Sequence, residues 1–205
     1  MVREHIDGAK FNKLRVRPTE FEKQIAWLKA EGFNFVTMQE LQDNWGNHPE
    51  KTVAITFDDG YLDNLENAFP ILEKHQAKAT IYVVVDRHDR DWSTYKKAHH
   101  NSGELAREPK LNDEQVQFVA NSGLVEIGSH TLTHANLDKL NDEECLHELV
   151  DSKTQLEQLT QKSVNSFAYP FGIYSERDVR LAEQAGYSNA VTTQEGIDGK
   201  MPDFM

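Results

Sequence analysis

The stretch Val53-Ala54-Ile55-Thr56-Phe57-Asp58-Asp59-Gly60-Tyr61 decides how this chain is read. A short apolar run with the pattern of a buried strand ends in two adjacent carboxylates and a glycine. Inside a regular strand, neighbouring side chains point to opposite faces, so Asp58 and Asp59 could not share a pocket there. Past the strand end that alternation relaxes. Gly60 offers backbone free to turn sharply, and both acids can then converge on one site. The plainer alternative is a solvated Asp-Asp-Gly turn.

Outward from this stretch, strand-like and helix-like segments alternate. Pro18 begins a helix in which Phe21, Ile25, Leu28 and Ala30 recur at near-helical spacing until Gly32. Residues 33–37 read as a strand and 38–45 as a short helix. Leu62 to His75 reads as a helix that Pro70 kinks or interrupts. Ala79 to Val85 is apolar and β-branched, hence a buried strand. Asp86 to Lys110 is polar and aperiodic, a long excursion of the kind that usually serves function. Beyond it, helices are expected over 112–121, 141–159 and 176–185, and strands over 125–128, 166–169 and 189–193. This alternation argues for an α/β fold with parallel pairing in a single domain spanning residues 1–205. Both an open doubly wound sheet and an incomplete barrel satisfy it.

Composition narrows the partners. The 205 residues carry 22 Lys plus Arg against 34 Asp plus Glu, a formal net charge of −12. A nucleic-acid backbone requires a basic face, so nucleic acid is excluded as the expected partner. No apolar run approaches the roughly 18–20 residues that span a bilayer, so membrane insertion is not expected. Met1 to Arg17 is polar and has no apolar leader core. The expected location is cytoplasmic as written, or periplasmic or extracellular if a signal has been trimmed. Cys145 is the single cysteine, which rules out an internal disulfide. The sequence assigns no oligomeric state.

Two more clusters follow strands. Gly128-Ser129-His130-Thr131-Leu132-Thr133-His134 sets two histidines four apart, on one face if the turn is helical. Tyr169-Pro170-Phe171-Gly172 is a turn, with ordinary Pro and Gly punctuation as its plain reading. In parallel α/β folds chemistry gathers at the carboxyl ends of strands, and all three clusters sit there. Two histidines and a carboxylate make a three-ligand set with open positions, leaving a second carboxylate as a base.

Thr56-Phe57-Asp58-Asp59-Gly60 and His130-Thr131-Leu132-Thr133-His134 resemble the first two motifs of the polysaccharide deacetylases, carbohydrate esterase family four with its NodB-like domain. The similarity runs over nearly the whole chain. It implies a distorted, incomplete (β/α) barrel. It implies Asp58 as the base, and Asp59, His130 and His134 as ligands of a divalent metal ion, zinc in the first instance. The backbone N–H of Phe171 would serve as oxyanion donor, with Tyr169, Pro170 and Gly172 lining the substrate site. The chain departs from the commonest pattern in three places. Ala168 stands where an arginine is usual, the Asp and Trp of the fourth motif have no match, and no terminal Leu-x-His occurs. The branch acting on poly-N-acetylglucosamine shares the arginine-free form and takes its acid histidine from near the N-terminus, which here is His5. The implied reaction is hydrolysis of N-acetyl groups on an N-acetylated glycan, releasing acetate. Its rivals are deacylation of a small or lipid-linked amido sugar, and a non-catalytic glycan-binding relative. In the polar excursion, Trp92 and Tyr95 are candidates for stacking on sugar rings, and His99-His100 for touching substrate or metal.

Overall fold

The computed structural model of the chain describes residues 1–88, 103–195 and 204–205. Trp92, Tyr95, His99 and His100 lie outside the described residues. Strand β1 (Asn34–Val36) pairs in parallel with β2 (Thr52–Ala54). Strands β3 (Thr56–Phe57), β4 (Ala79–Val83), β5 (Val125–Ser129), β6 (Ser166–Ala168) and β7 (Asn189–Val191) form one parallel sheet in that order. Between them run α1 (Pro18–Ala30), α2 (Met38–Asp43), α3 (Phe69–His75), α4 (Asp113–Asn121), α5 (Asp142–Thr160) and α6 (Glu176–Gln184). The sheet curls into a half-barrel, and among the described residues β1 and β7 do not pair. The expected incomplete (β/α) barrel is borne out, and the open doubly wound sheet is not.

The run through residues 53–57 is continuous in sequence but divided in space. Its first part bonds to β1, and after Ile55 the chain turns to β4, with Thr80 N–H donating to the Ile55 carbonyl at 2.9 Å. Capping explains why two helices start where they do. Asn112 and Asn141 accept from the N–H groups of Gln115 and Glu144, whose side chains bond back to the cap N–H. Each such cap stabilises its helix by about 0.5–2 kcal/mol. Pro70 acts as the sequence suggested. It has no N–H, and its ring would meet the carbonyl four residues earlier, so the helix widens into a π-turn over Asn64–Ala68 before α3.

On the outer face of the sheet, Ile81, Val83, Ile127 and Phe167 pack with Val116, Leu149, Leu156 and Leu181 of the covering helices. A separate cluster of Phe21, Ile25, Phe35, Leu72 and Ala77 fills the side carrying β1 and β2. The inner face is built differently. Glu126 accepts from Thr80 Oγ1 at 2.9 Å, from Gln39 N–H at 3.1 Å and from the Ser166 hydroxyl. Met38 N–H donates to Thr80 Oγ1 at 3.0 Å. The first turn of α2 thereby satisfies its exposed N–H groups on the barrel floor. Above that floor Tyr82, fully buried, packs with Met38 and Ala168.

Gly128 makes this packing possible, because a Cβ there would lie 2.4 Å from the Tyr82 ring. Gly128→Ala is expected to lower stability by about 1–3 kcal/mol through overpacking. The urea midpoint measures this, and an unchanged midpoint would mean that Tyr82 can move aside.

Candidate metal and catalytic site

Three strand ends deliver the site. After β3, Asp58 is solvent-exposed and Asp59 turns back into the fold. The turn is made by Asp59 itself at φ 73°, not by Gly60 alone. Residues 109–111 hold it in place: Leu62 N–H donates to the Pro109 carbonyl at 2.9 Å, and Leu111 N–H to the Gly60 carbonyl at 2.8 Å.

The histidine pair is brought together by a loop. The helical turn that would align residues 130 and 134 does not form. Instead Thr131 (φ 69°) and His134 (φ 58°) take left-handed backbone, which sets the two rings edge to face with centroids 4.8 Å apart. The loop is tied down on two sides. His130 N–H donates to the Val83 carbonyl at 3.0 Å, and Asp86 N–H to the Leu132 carbonyl at 2.8 Å. From α5, the buried Glu148 carboxylate accepts from Thr133 N–H at 2.9 Å and from Thr133 Oγ1 at 2.7 Å.

The donor atoms then converge. His130 Nε2 lies 3.5 Å and His134 Nε2 3.4 Å from Asp59 Oδ1. All three candidate ligand atoms lie within 4.8 Å of one another. Ligands about 2.0–2.1 Å from a tetrahedral ion stand roughly 3.3–3.4 Å apart, so the two distances to Asp59 fit a zinc-sized cation. The tautomer fits as well. His130 Nδ1 lies 2.7 Å from the Ala168 carbonyl, which can only accept, so Nδ1 carries the proton and Nε2 presents its lone pair. Burial, above all, holds the His134 imidazole well below its ordinary 6.5, with the charges of His130 and Lys110 adding to the effect. Burial also raises the Asp59 carboxyl, against the pull of His130. The site thus favours a neutral His134 while penalising a lone carboxylate charge, and a bound cation would offset that penalty.

The third cluster supplies the far wall. Phe171 sits at φ 62° with its ring centroid 4.5 Å from that of His134. Tyr169 and Pro170, expected in the substrate site, are both buried. The Tyr169 ring stacks on Tyr174 at 4.7 Å and packs against Phe167, so it braces the turn. Gly172, at φ 64°, is pressed against Thr193, where a Cβ would clash. His5 lies apart from the ligand cluster. Its Nε2 donates to the Arg15 carbonyl at 3.1 Å, and the ring lines a cavity shared with Arg3, Asp63 and Glu66.

Two contributors were not anticipated from the sequence. The Ala168 carbonyl carries no side-chain signal at all. Glu148 does, as a lone acid among Cys145, Leu149, Ser152 and Leu156 on the buried stripe of α5.

The sequence model of the polysaccharide deacetylases matches residues 46–190, most of the chain and every strand from β2 to β7 except the last residue of β7. The chain belongs to the polysaccharide deacetylase family. It is 35% identical over 188 residues to the candidate polysaccharide deacetylase YxkH of Bacillus subtilis, covering 90% of this chain and 61% of that protein. It is 26% identical over 190 residues to a poly-β-1,6-N-acetyl-D-glucosamine N-deacetylase of Staphylococcus aureus, covering 88% of this chain and 61% of that one. A crystal structure of a polysaccharide deacetylase from Bacillus cereus superposes with a TM-score of 0.78 at 30% identity, covering 95% of this chain and 56% of that chain. The chain therefore spans about three fifths of the length of the curated relatives it matches. No helix among the described residues is long and apolar enough to cross a membrane.

The depressed His134 pKa has a definite consequence for the metal-free protein. The unfolded chain takes up a proton at this residue near pH 6.5 while the folded chain does not, so stability is lost as pH falls through that value. The urea midpoint of the wild type should drop between about pH 7 and pH 5 by more than that of His134→Gln. Parallel pH profiles would contradict the assignment.

Proposed function

We propose that this chain is a metal-dependent N-deacetylase of an amino-sugar glycan, with Asp59, His130 and His134 as the metal ligands. The observation that carries the reading is the meeting of these three side chains at ion-sized spacing, with a spare carboxylate next in sequence. The poly-N-acetylglucosamine relative supports the substrate class. Zinc is the preferred ion because the donors are two imidazole nitrogens and one carboxylate oxygen. Bound there, the cation supplies positive charge that acidifies water and polarises an amide carbonyl.

The chain's own groups do the rest. Asp58, exposed beside Asp59, takes the proton of the attacking water as general base. Phe171, beside His134, offers its backbone N–H to the oxygen of the tetrahedral intermediate. An amine leaves poorly unless protonated, and His5 is the donor on this reading. When charged, its Nε2–H keeps the bond to the Arg15 carbonyl while Nδ1–H is available to the leaving nitrogen. Carbon–nitrogen cleavage then yields acetate and a free amine.

The test is acetate release from β-1,6-linked N-acetylglucosamine oligomers, compared with the single sugar, by zinc-loaded protein. Oligomers should be cleaved and the monosaccharide left nearly untouched. Monosaccharide turnover at equal rate would favour a small amido-sugar substrate. Asp58→Asn should keep one zinc per chain and lose turnover by about 10²–10⁴-fold, and near-normal rates would remove Asp58 as base. His5→Ala should lower kcat by roughly 10²-fold or more with zinc content unchanged, checked by steady-state kinetics and metal analysis. Full activity would send the acid role elsewhere.

A further inference from the structure

Two polar groups at the top of the barrel's inner face lack partners, and each is what the other needs. The Tyr82 phenol oxygen is buried and makes no hydrogen bond to any described residue. No hydrogen bond from another described residue reaches the Asp58 carboxylate. One group is a donor without an acceptor, the other an acceptor without a donor. A buried hydroxyl left unpaired is costly, so its persistence calls for an explanation.

The sheet register brings the two together. Thr56 pairs with Thr80 and Phe57 with Ile81 across β3 and β4, and Asp58 and Tyr82 are the next residues along the two segments. Thr80 and Tyr82, two residues apart in β4, share the inner face, and Asp58 leaves the end of the neighbouring β3 beside them. Tyr82 has little freedom to turn elsewhere. Its ring lies against Gly128, where even a Cβ would overlap it, and is packed by Met38 and Ala168. Charge agrees with the geometry: burial first, then Glu126 and Asp58, push the Tyr82 hydroxyl well above its ordinary range and keep it protonated as a donor.

We propose that Tyr82 is a positioning residue: when the exposed Asp58 side chain rotates to meet it, its O–H donates to the carboxylate and holds it turned toward the Asp59–His130–His134 cluster. The role rests on the deacetylase reading for its catalytic meaning, but the contact itself does not. A base that must accept a proton from water at a fixed point gains from a partner that limits its rotation. Asp58, exposed at a strand end, has no other such partner among the described residues.

Tyr82→Phe removes the hydroxyl and keeps the ring. With zinc-loaded protein and an oligomeric substrate, kcat should fall about tenfold, as for loss of one hydrogen bond to a charged group. KM and zinc per chain should stay at wild-type values. In an Asp58→Ala background the same substitution should cost nothing further. Unchanged kcat, or an equal loss in both backgrounds, would overturn the proposal. A second cycle needs no substrate. If the hydroxyl is paired with Asp58, Tyr82→Phe lowers the urea midpoint of the zinc-loaded wild type but not that of Asp58→Ala. If the hydroxyl stays unpaired, its removal is neutral or stabilising in both, and the proposal fails. Zinc-loaded protein that releases no acetate would refute the deacetylase reading, while the denaturation cycle would still decide the pairing.

Discussion

The structure depends on holding four ordinary residues in a backbone conformation that their side chains resist. Asp59, Thr131, His134 and Phe171 all have φ between 58° and 73°, and all four lie at the site. The other two such non-glycine residues among those described, Gln76 and Gln161, close helices as C-caps, where left-handed backbone is routine. Left-handed backbone costs roughly 1–2 kcal/mol per residue, so the four together absorb several kcal/mol of a net stability of about 5–15. That is tolerable only where surrounding bonds fix the loops. The paired bonds from Thr133 to Glu148 and the main-chain bonds from β4 and its extension to the histidine loop do so. Such concentrations of strain are typical of places where side-chain aim matters more than local comfort.

Much of this was legible in the sequence. The alternation of apolar runs with capped helices gave the element order, because Asn112, Asn141, Pro18 and Pro70 act locally and need no tertiary context. The three strand-end clusters converge because parallel strands in a curled sheet must present their carboxyl ends along one rim. What failed was the assumption of regular geometry. The spacing of His130 and His134 suggests a helical turn, yet two left-handed residues achieve the convergence. Residue type alone gives no sign of that. The inward turn of the Tyr169 ring onto Phe167 and Tyr174 likewise has no sign in the motif. The division at Ile55 was hidden as well, since a strand changing partners keeps the same apolar pattern.

The barrel interior is unlike the outer face. Glu126, Thr80 and Ser166 form a closed polar network that also caps the start of α2, and Tyr82 and Ala168 sit between it and the rim. In a low-dielectric interior, satisfied polar networks resist rearrangement because each member would be left unpaired by a shift. The floor therefore behaves as a fixed base for the strand ends above it. Precision at the rim then follows from rigidity several residues below.

The attachment of the N-terminal segment bears on how freely it can move. Among the described residues, the N-terminal loop bearing His5 makes its main-chain pairs within residues 1–16, and it meets the π-turn and the segment before α4 through side chains such as Asn67, Arg15 and Glu108. The His5 loop and the ligand-bearing strand ends therefore belong to separate main-chain-bonded units. Side-chain contacts yield more cheaply than a ladder does, so the His5 loop can shift without breaking a main-chain pair of the sheet.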